Sequence, residues 1–306
     1  MNDIQRLVRR QEHHGDADSP RFAVLGPVRA VRGGRTLTAS SLEHQAFLAA
    51  LLLRSGRTSE LSELVHALWG ENPPDTAVPA VRTHAWWWRR VLEPNEQAPR
   101  VLLSVGDGYR VVVPDLGLDL DVAEDLARRA QLAAVGGGLE IADGLLAEAL
   151  SLWQGDPLSG LPGPFAEQQR IRLGGLRHAW TELRLRIALA LGRHAAVLPA
   201  LTLLAAEQPS REHVHELLMR ALHAAGRRTE ALAVFTRLVE EQGIEPGQPL
   251  KSLHHKIVEG DPPGPGVNAF RSEVRLAPAV PVPRQLPLGT GTAPAAKETS
   301  PPRRAL

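Results

Sequence analysis

Between residues 21 and 115 the sequence carries short β-rich segments, three helical stretches and a glycine-turned hairpin. From about residue 119 the pattern is helical only, and a glycine-led word at Gly192 recurs 34 residues later at Gly226. Together these predict a mostly α-helical protein with a small β part. The architecture expected is an N-terminal winged helix-turn-helix followed by a tetratricopeptide-like all-α helical domain.

Composition removes several classes. A chain of 306 residues, 43% hydrophobic, is long and apolar enough for about two cores, and aromatics at 4% make those cores mainly Leu, Val and Ala. The absence of cysteine excludes disulfides, thiolate zinc sites and cysteine nucleophiles together. No run approaches the roughly 20 apolar residues of a membrane span. The opening "MNDIQRLVRRQEHHGDADSP" lacks the apolar centre of a signal peptide. The expectation is a soluble cytoplasmic protein with no membrane contact. A net charge of +1 does not by itself advertise a polyanion partner. Of the 35 basic residues all but three are arginine, a bias that a GC-rich coding sequence produces without selection.

Taken in order, residues 1–20 are polar and patternless and are read as a disordered arm. "RFAVLGPVRAVRGGRTLTA" then offers three short strands: one at Phe22–Leu25, one holding Val28 and Val31, and one around Thr36–Thr38, with Gly33-Gly34 as a turn. A helix starts on Ser40 or Ser41 as cap and runs toward Gly56. A second starts on Thr58 or Ser59. Its Leu61, Leu64, Val65 and Leu68 form an i, i+3, i+4, i+7 stripe that Gly70 ends. A third covers about 77–92, with Pro79 tolerable only in its first turn. "RVLLSVGDGYRVVVP" is two β-rich arms around Gly106-Asp107-Gly108, a hairpin. Sheet, three helices and hairpin are the order of a winged helix, in which the third helix enters the major groove and the hairpin is the wing. Residues 21–115 are this domain.

Residues 119–260 read as a succession of helices, from "LDVAEDLARRAQLAAV" to "PLKSLHHKIVEG". The words Gly192-Arg193-His194 and Gly226-Arg227-Arg228 are spaced at the tetratricopeptide period. Ala231 and Phe235 stand where that repeat places its small and aromatic packing residues. Such helix pairs stack into curved surfaces for binding other proteins. Residues 261–306 are Pro/Gly-rich and are read as a disordered tail.

The words "RFAVLGPVRA", "LVHALWGENPPDTA", "RRVLEP", "GDGYRVVV", "LSLWQGDPLSGLPGPF", "ALGRH", "GRRTEALAVF" and "GIEPGQPL" span about residues 21–263. Through them the chain resembles the Streptomyces antibiotic regulatory protein family. Its members join an OmpR-type winged helix to a bacterial transcriptional activation domain. The resemblance implies a pathway-specific activator of secondary-metabolite genes that binds direct repeats near promoters in double-stranded DNA, contacts RNA polymerase and forms a homodimer through its helical half. It also implies that polymerase is touched by the loop Glu71, Asn72, Pro73, Pro74 and Asp75, whose other reading is an ordinary proline-rich connection. "VPRQLP" looks like the segment that precedes an NTPase module in larger members. No G-x-x-x-x-G-K-[ST] follows it, so the chain is either a short member or part of a long one.

At about 100° per residue with Arg82 at zero, Val81, Ala85, Trp88 and Leu92 cluster between about 240° and 300°, the core face. Arg82, Thr83, Trp86, Trp87 and Arg90 spread over the opposite face, and Arg89 lies beside it. Trp88 is therefore the core tryptophan, at a position the family usually fills with Leu. Arg82 and Arg90 can supply guanine or phosphate contacts. Arg110 on the wing is a phosphate candidate, whereas Tyr109 is expected to pack inward. Trp86 and Trp87 stand where the family more often has Ser and Arg, and three readings remain open. The rings serve thymine methyls or sugars, or the face has turned to protein contact, or drift has weakened DNA binding. Glu43 and Gln45 replace family cations in the same direction. The alternative to an activator is thus a helical scaffold or modulator whose winged helix has lost most DNA affinity.

Catalysis finds no support. Residues i and i+2 on a helix point about 200° apart, so His213 and His215 cannot share a metal. His254 and His255 are read as solvated, and Trp153 and Trp180 as core. No hydrolase, zincin or phosphate-loop motif is present, and neither cofactor nor metal is expected.

Overall fold

The computed structural model describes residues 19–262 except 38, 40, 55, 95–97, 242 and 244. The expected arm over 1–20, apart from its last two residues, lies outside these, as do the tail from 263 onward and the cap candidate Ser40. The described chain is mostly helical with two small antiparallel sheets, the predicted class.

Strands β1 (Arg21–Ala23), β2 (Arg29–Arg32) and β3 (Arg35–Leu37) form the first sheet in that order. Gly33 and Gly34, with φ of 56° and 74°, make the tight turn between β2 and β3 that only glycine enters without strain. Helix α1 (Leu42–Leu52) is capped by Ser41, whose side chain accepts from the His44 amide at 3.3 Å. Its residues Ala46 to Leu52 are all buried, so it is apolar all round. It stops at Leu52, short of Gly56, where the Arg54 amide turns to the Leu51 carbonyl at 3.3 Å in place of the next i→i−4 bond.

Helix α2 (Leu61–Trp69) does not start on Thr58 or Ser59 as expected. Glu60 is its cap, and the Glu63 carboxylate accepts from the Glu60 amide at 3.0 Å. Ser59 instead belongs to a strand invisible in the hydrophobic pattern, β4 (Ser59–Glu60). Helix α3 (Ala77–Leu92) has the predicted bounds. The wing is β5 (Leu102–Val105) and β6 (Gly108–Val111), and β4 adds to it in the order β4-β6-β5. Gly108 is required there: a Cβ would lie 2.2 Å from the Ser59 carbonyl oxygen.

The second part is helical throughout: α4 (Asp119–Val135), α5 (Leu139–Ser151), the long α6 (Pro164–Ala190), α7 (His194–Glu207), α8 (Glu212–Ala224), α9 (Arg228–Thr236) and α10 (Gln248–Glu259). A π-helical turn, Arg237–Glu241, extends α9. The two repeat words end their helices identically. Gly192 and Gly226 have φ of 76° and 77°, and the amides of Arg193 and Arg227 reach back to the Ala188 and Leu222 carbonyls at 3.0 and 2.8 Å. Ala231 is fully buried and Phe235 stacks on His254 at 4.1 Å, so His254 is half-buried rather than solvated. Trp153 and Trp180 are core residues, edge to face at 5.3 Å. Hydrogen bonds to Glu182 and Glu216 push the His213 imidazole up to about 9, and the charged ring ties α8 to α6. A protonated imidazole offers a metal no lone pair. Among the described residues no helix is long and apolar enough to cross a membrane.

Burial follows a different division from the sequence pattern. One continuous core runs from Phe22 to Ala190 and includes the winged helix together with α4, α5 and most of α6. A second, from Leu185 to Ile257, holds α7 to α10. The seam inside the first core is stitched by backbone. The Asp119 carboxylate at the start of α4 accepts from the amides of Val24 and Leu25 at 2.9 and 3.0 Å. The Gln154 and Leu158 amides donate to the Leu25 and Gly26 carbonyls at 2.8 and 2.9 Å. Burial pushes the Asp119 carboxyl up to about 7, against the pull of those amides.

Candidate nucleic-acid interface

The sequence around α3 decides which side chains can meet a ligand. Val81, His84, Ala85, Trp88 and Leu92 are buried, as 3.6-residue periodicity requires of the core stripe. Trp88 is 1% exposed, and its Nε1 donates to the His44 carbonyl at 2.6 Å. Thus the large ring finds both a buried place beneath α3 and an acceptor on α1.

The remaining residues divide in a way the helical wheel did not anticipate. Arg82, Thr83, Trp86 and Arg90 are exposed on one face. Trp87 is half-buried: its ring lies 4.6 Å from the His44 ring and 5.0 Å from Trp88, closing the edge of the core. Arg89 is half-buried too. Its Nε donates to the Leu102 carbonyl at 2.9 Å, its Nη2 to the Ser104 hydroxyl at 2.8 Å, and its guanidinium sits 5.6 Å from the Tyr109 ring. Arg89 therefore fixes the angle between α3 and the wing. Nothing in the helix pattern announces this, because its partners lie 13 and 15 residues downstream.

Glu93 completes the joint. Buried just past α3, its carboxylate accepts from the amides of Arg100, Val101 and Leu102, the last two at 2.9 and 3.2 Å. A buried carboxylate satisfied by backbone donors positions a strand without adding negative charge to the surface. On the wing, Tyr109 packs against Phe47 at 6.0 Å, inward as expected. Arg110 is half-buried on β6, and its Nε is enclosed with no partner among the described residues.

The electrostatics of the face come from arginine alone. His84 lies beneath α3, its ring 4.6 Å from the His44 ring, and burial pushes it down to about 4. Burial and the neighbouring His44 outweigh the pull of the Glu43 carboxylate, so the ring is neutral at neutral pH. Between Val78 and Leu92 there is no carboxylate. The Arg90 guanidinium lies over the Trp86 ring at 5.1 Å. The Thr83 hydroxyl donates to the Pro79 carbonyl one turn back at 3.0 Å. Glu71, Asn72, Pro73, Pro74 and Asp75 are all exposed on the loop leading into α3. An exposed helix face bearing two open arginines, beside a braced β-hairpin, has the charge and shape to approach a phosphate-lined groove.

The helical part matches the Bacterial transcriptional activator domain over residues 118–258. The chain is similar to the regulatory protein AfsR of Streptomyces coelicolor, 46% identical over 272 residues, which are 87% of this chain and 27% of AfsR. It thus spans about a quarter of the length of that relative. It is 32% identical to the regulatory protein DnrI of Streptomyces peucetius, across 84% of this chain and 97% of DnrI. The solved structure of Mycobacterium tuberculosis EmbR in complex with a low affinity phosphopeptide is similar over 84% of this chain and 69% of EmbR. Its TM-score is 0.78 at 27% identity.

Proposed function

The chain belongs to the Streptomyces antibiotic regulatory protein family of transcriptional regulators, and on that premise we propose that it is a non-enzymatic activator of secondary-metabolite genes, working on promoter DNA in the cytoplasm. In this reading residues 21–115 supply the DNA-reading surface, and residues 119–260 supply the contacts that hold two copies on direct repeats. Arg82, Thr83, Trp86 and Arg90 enter the major groove, and Arg110 approaches a phosphate from the wing. Arg89 and Trp87 hold α3 and the wing at the angle that makes this possible. The exposed loop Glu71–Asp75 is available to RNA polymerase.

The observation that carries the proposal is the open face of α3: no carboxylate, two outward arginines, and an opposite side sealed into the core. With so few free cations, single-site affinity is modest and falls steeply with salt, and paired repeats raise it through avidity. The test is anisotropy of the full chain on duplexes from promoters of the neighbouring gene cluster, across a salt series. Wild type should bind with an affinity that falls as salt rises, and Arg90→Ala should lower that affinity at every salt concentration. A chain that binds no duplex at micromolar concentration, whatever the salt, belongs instead to the scaffold class.

A further inference from the structure

We propose that Trp86 reads the C5-methyl group of a thymine and that Arg90, whose guanidinium lies over the Trp86 ring, reads a guanine in the adjacent base pair. This rests on the DNA-binding reading above and adds which step of sequence α3 prefers.

Trp86 is 57% exposed, in contrast to Trp88, which is 1% exposed two residues later. A large indole left in water contributes little to the core, so its value lies in what covers it on binding. The indole is also held before binding, since the Arg90 guanidinium lies 5.1 Å from its centroid. A guanidinium drawn to the ring by cation–π attraction keeps its N–H donors for a hydrogen-bonding partner, the fork that matches guanine O6 and N7. The contact also narrows the rotamers of both side chains before the complex forms, which lowers the ordering cost of recognition.

The match to thymine follows from what each base shows in the major groove. Guanine, cytosine and adenine present only polar features there, whereas thymine adds a methyl group. An indole edge has no acceptor to offer adenine or cytosine, and it gains by covering that methyl. Successive base pairs lie about 3.4 Å apart along the duplex. The 5.1 Å from the Arg90 guanidinium to the Trp86 ring centroid lies between one and two such steps, a spacing that suits neighbouring pairs. Two of the nearby residues do not compete: Trp87 is turned against His44, and the Thr83 hydroxyl is engaged by Pro79.

The experiment selects duplexes from a randomised library with the full wild-type chain. Each thymine of the selected duplex is then replaced in turn by deoxyuridine, which lacks only the methyl group. One replacement should weaken wild type about fourfold, the equivalent of one buried methyl. Trp86→Ala should bind the thymine and uracil duplexes equally, and Trp86→Phe should keep part of the difference. Circular dichroism checks that the variants fold, as substitution of so exposed a residue permits. If the library yields no enriched duplex, the DNA-binding reading itself fails. If duplexes are enriched but no deoxyuridine lowers affinity, or if Trp86→Ala weakens both forms alike, methyl reading alone is overturned and Trp86 contacts sugar or phosphate.

Discussion

Gly163→Ala should cost the full chain about 3–5 kcal/mol in denaturant unfolding, combining a strained backbone conformation with overpacking. Gly163 precedes α6 with a φ of 98°, and a Cβ there would lie 2.6 Å from the Leu68 carbonyl oxygen and 2.9 Å from that of Ala67. Those carbonyls belong to α2, which packs directly on the reader helix α3. The side chain cannot be accommodated without parting the winged helix from the helical body. Gly155→Ala is the control. Its φ is 99°, but nothing lies within 4 Å of the added carbon, so it should show only the backbone strain, about 1–2 kcal/mol. Equal losses from the two variants would mean that the seam yields at no cost and that the two parts are only loosely joined.

Trp88→Ala should be about as damaging, at about 3–5 kcal/mol, because it empties the space beneath α3. It also leaves the His44 carbonyl without the indole donor. Trp88→Leu should lose less, since the shorter side chain fills part of the volume. Trp86→Ala should fall within about 0.5 kcal/mol of wild type, as exposed substitutions do. Thermal unfolding of the three variants reads this order, and a destabilised Trp86→Ala would place that ring in the core after all.

Much of this was legible before any coordinates. Helices α3 to α10 appear in the periodicity within a few residues of their observed bounds, because long amphipathic stripes and glycine stops are local signals. The repeat at Gly192 and Gly226 is legible for the same reason: the closure is made by the glycine itself. What escaped was set by distant chain. Strand β4 has two residues and exists because the wing passes beside Ser59, so Glu60 rather than Ser59 caps α2. Trp87 sits at the margin of the helical wheel, and only His44 on α1 turns its ring inward. Arg89 looks like another groove cation until the Leu102 carbonyl and the Ser104 hydroxyl claim it. The fused core was hidden as well, because composition changes near residue 119 while burial does not. The carboxylate at Asp119 reads as an ordinary first-turn residue of α4, yet it holds the chain just past β1 from 95 residues away.

Whether the open face of α3 meets DNA can be read from fluorescence. Of the six tryptophans, Trp86 alone is exposed, whereas Trp69 and Trp87 are half-buried and Trp88, Trp153 and Trp180 are buried. Acrylamide should therefore quench one accessible component in the free chain, and that component should be absent in Trp86→Phe. When anisotropy shows a duplex bound, the same component should become protected in wild type, with little change in the rest. A bound duplex that leaves Trp86 as accessible to acrylamide as in the free chain would contradict the assignment of this face to DNA.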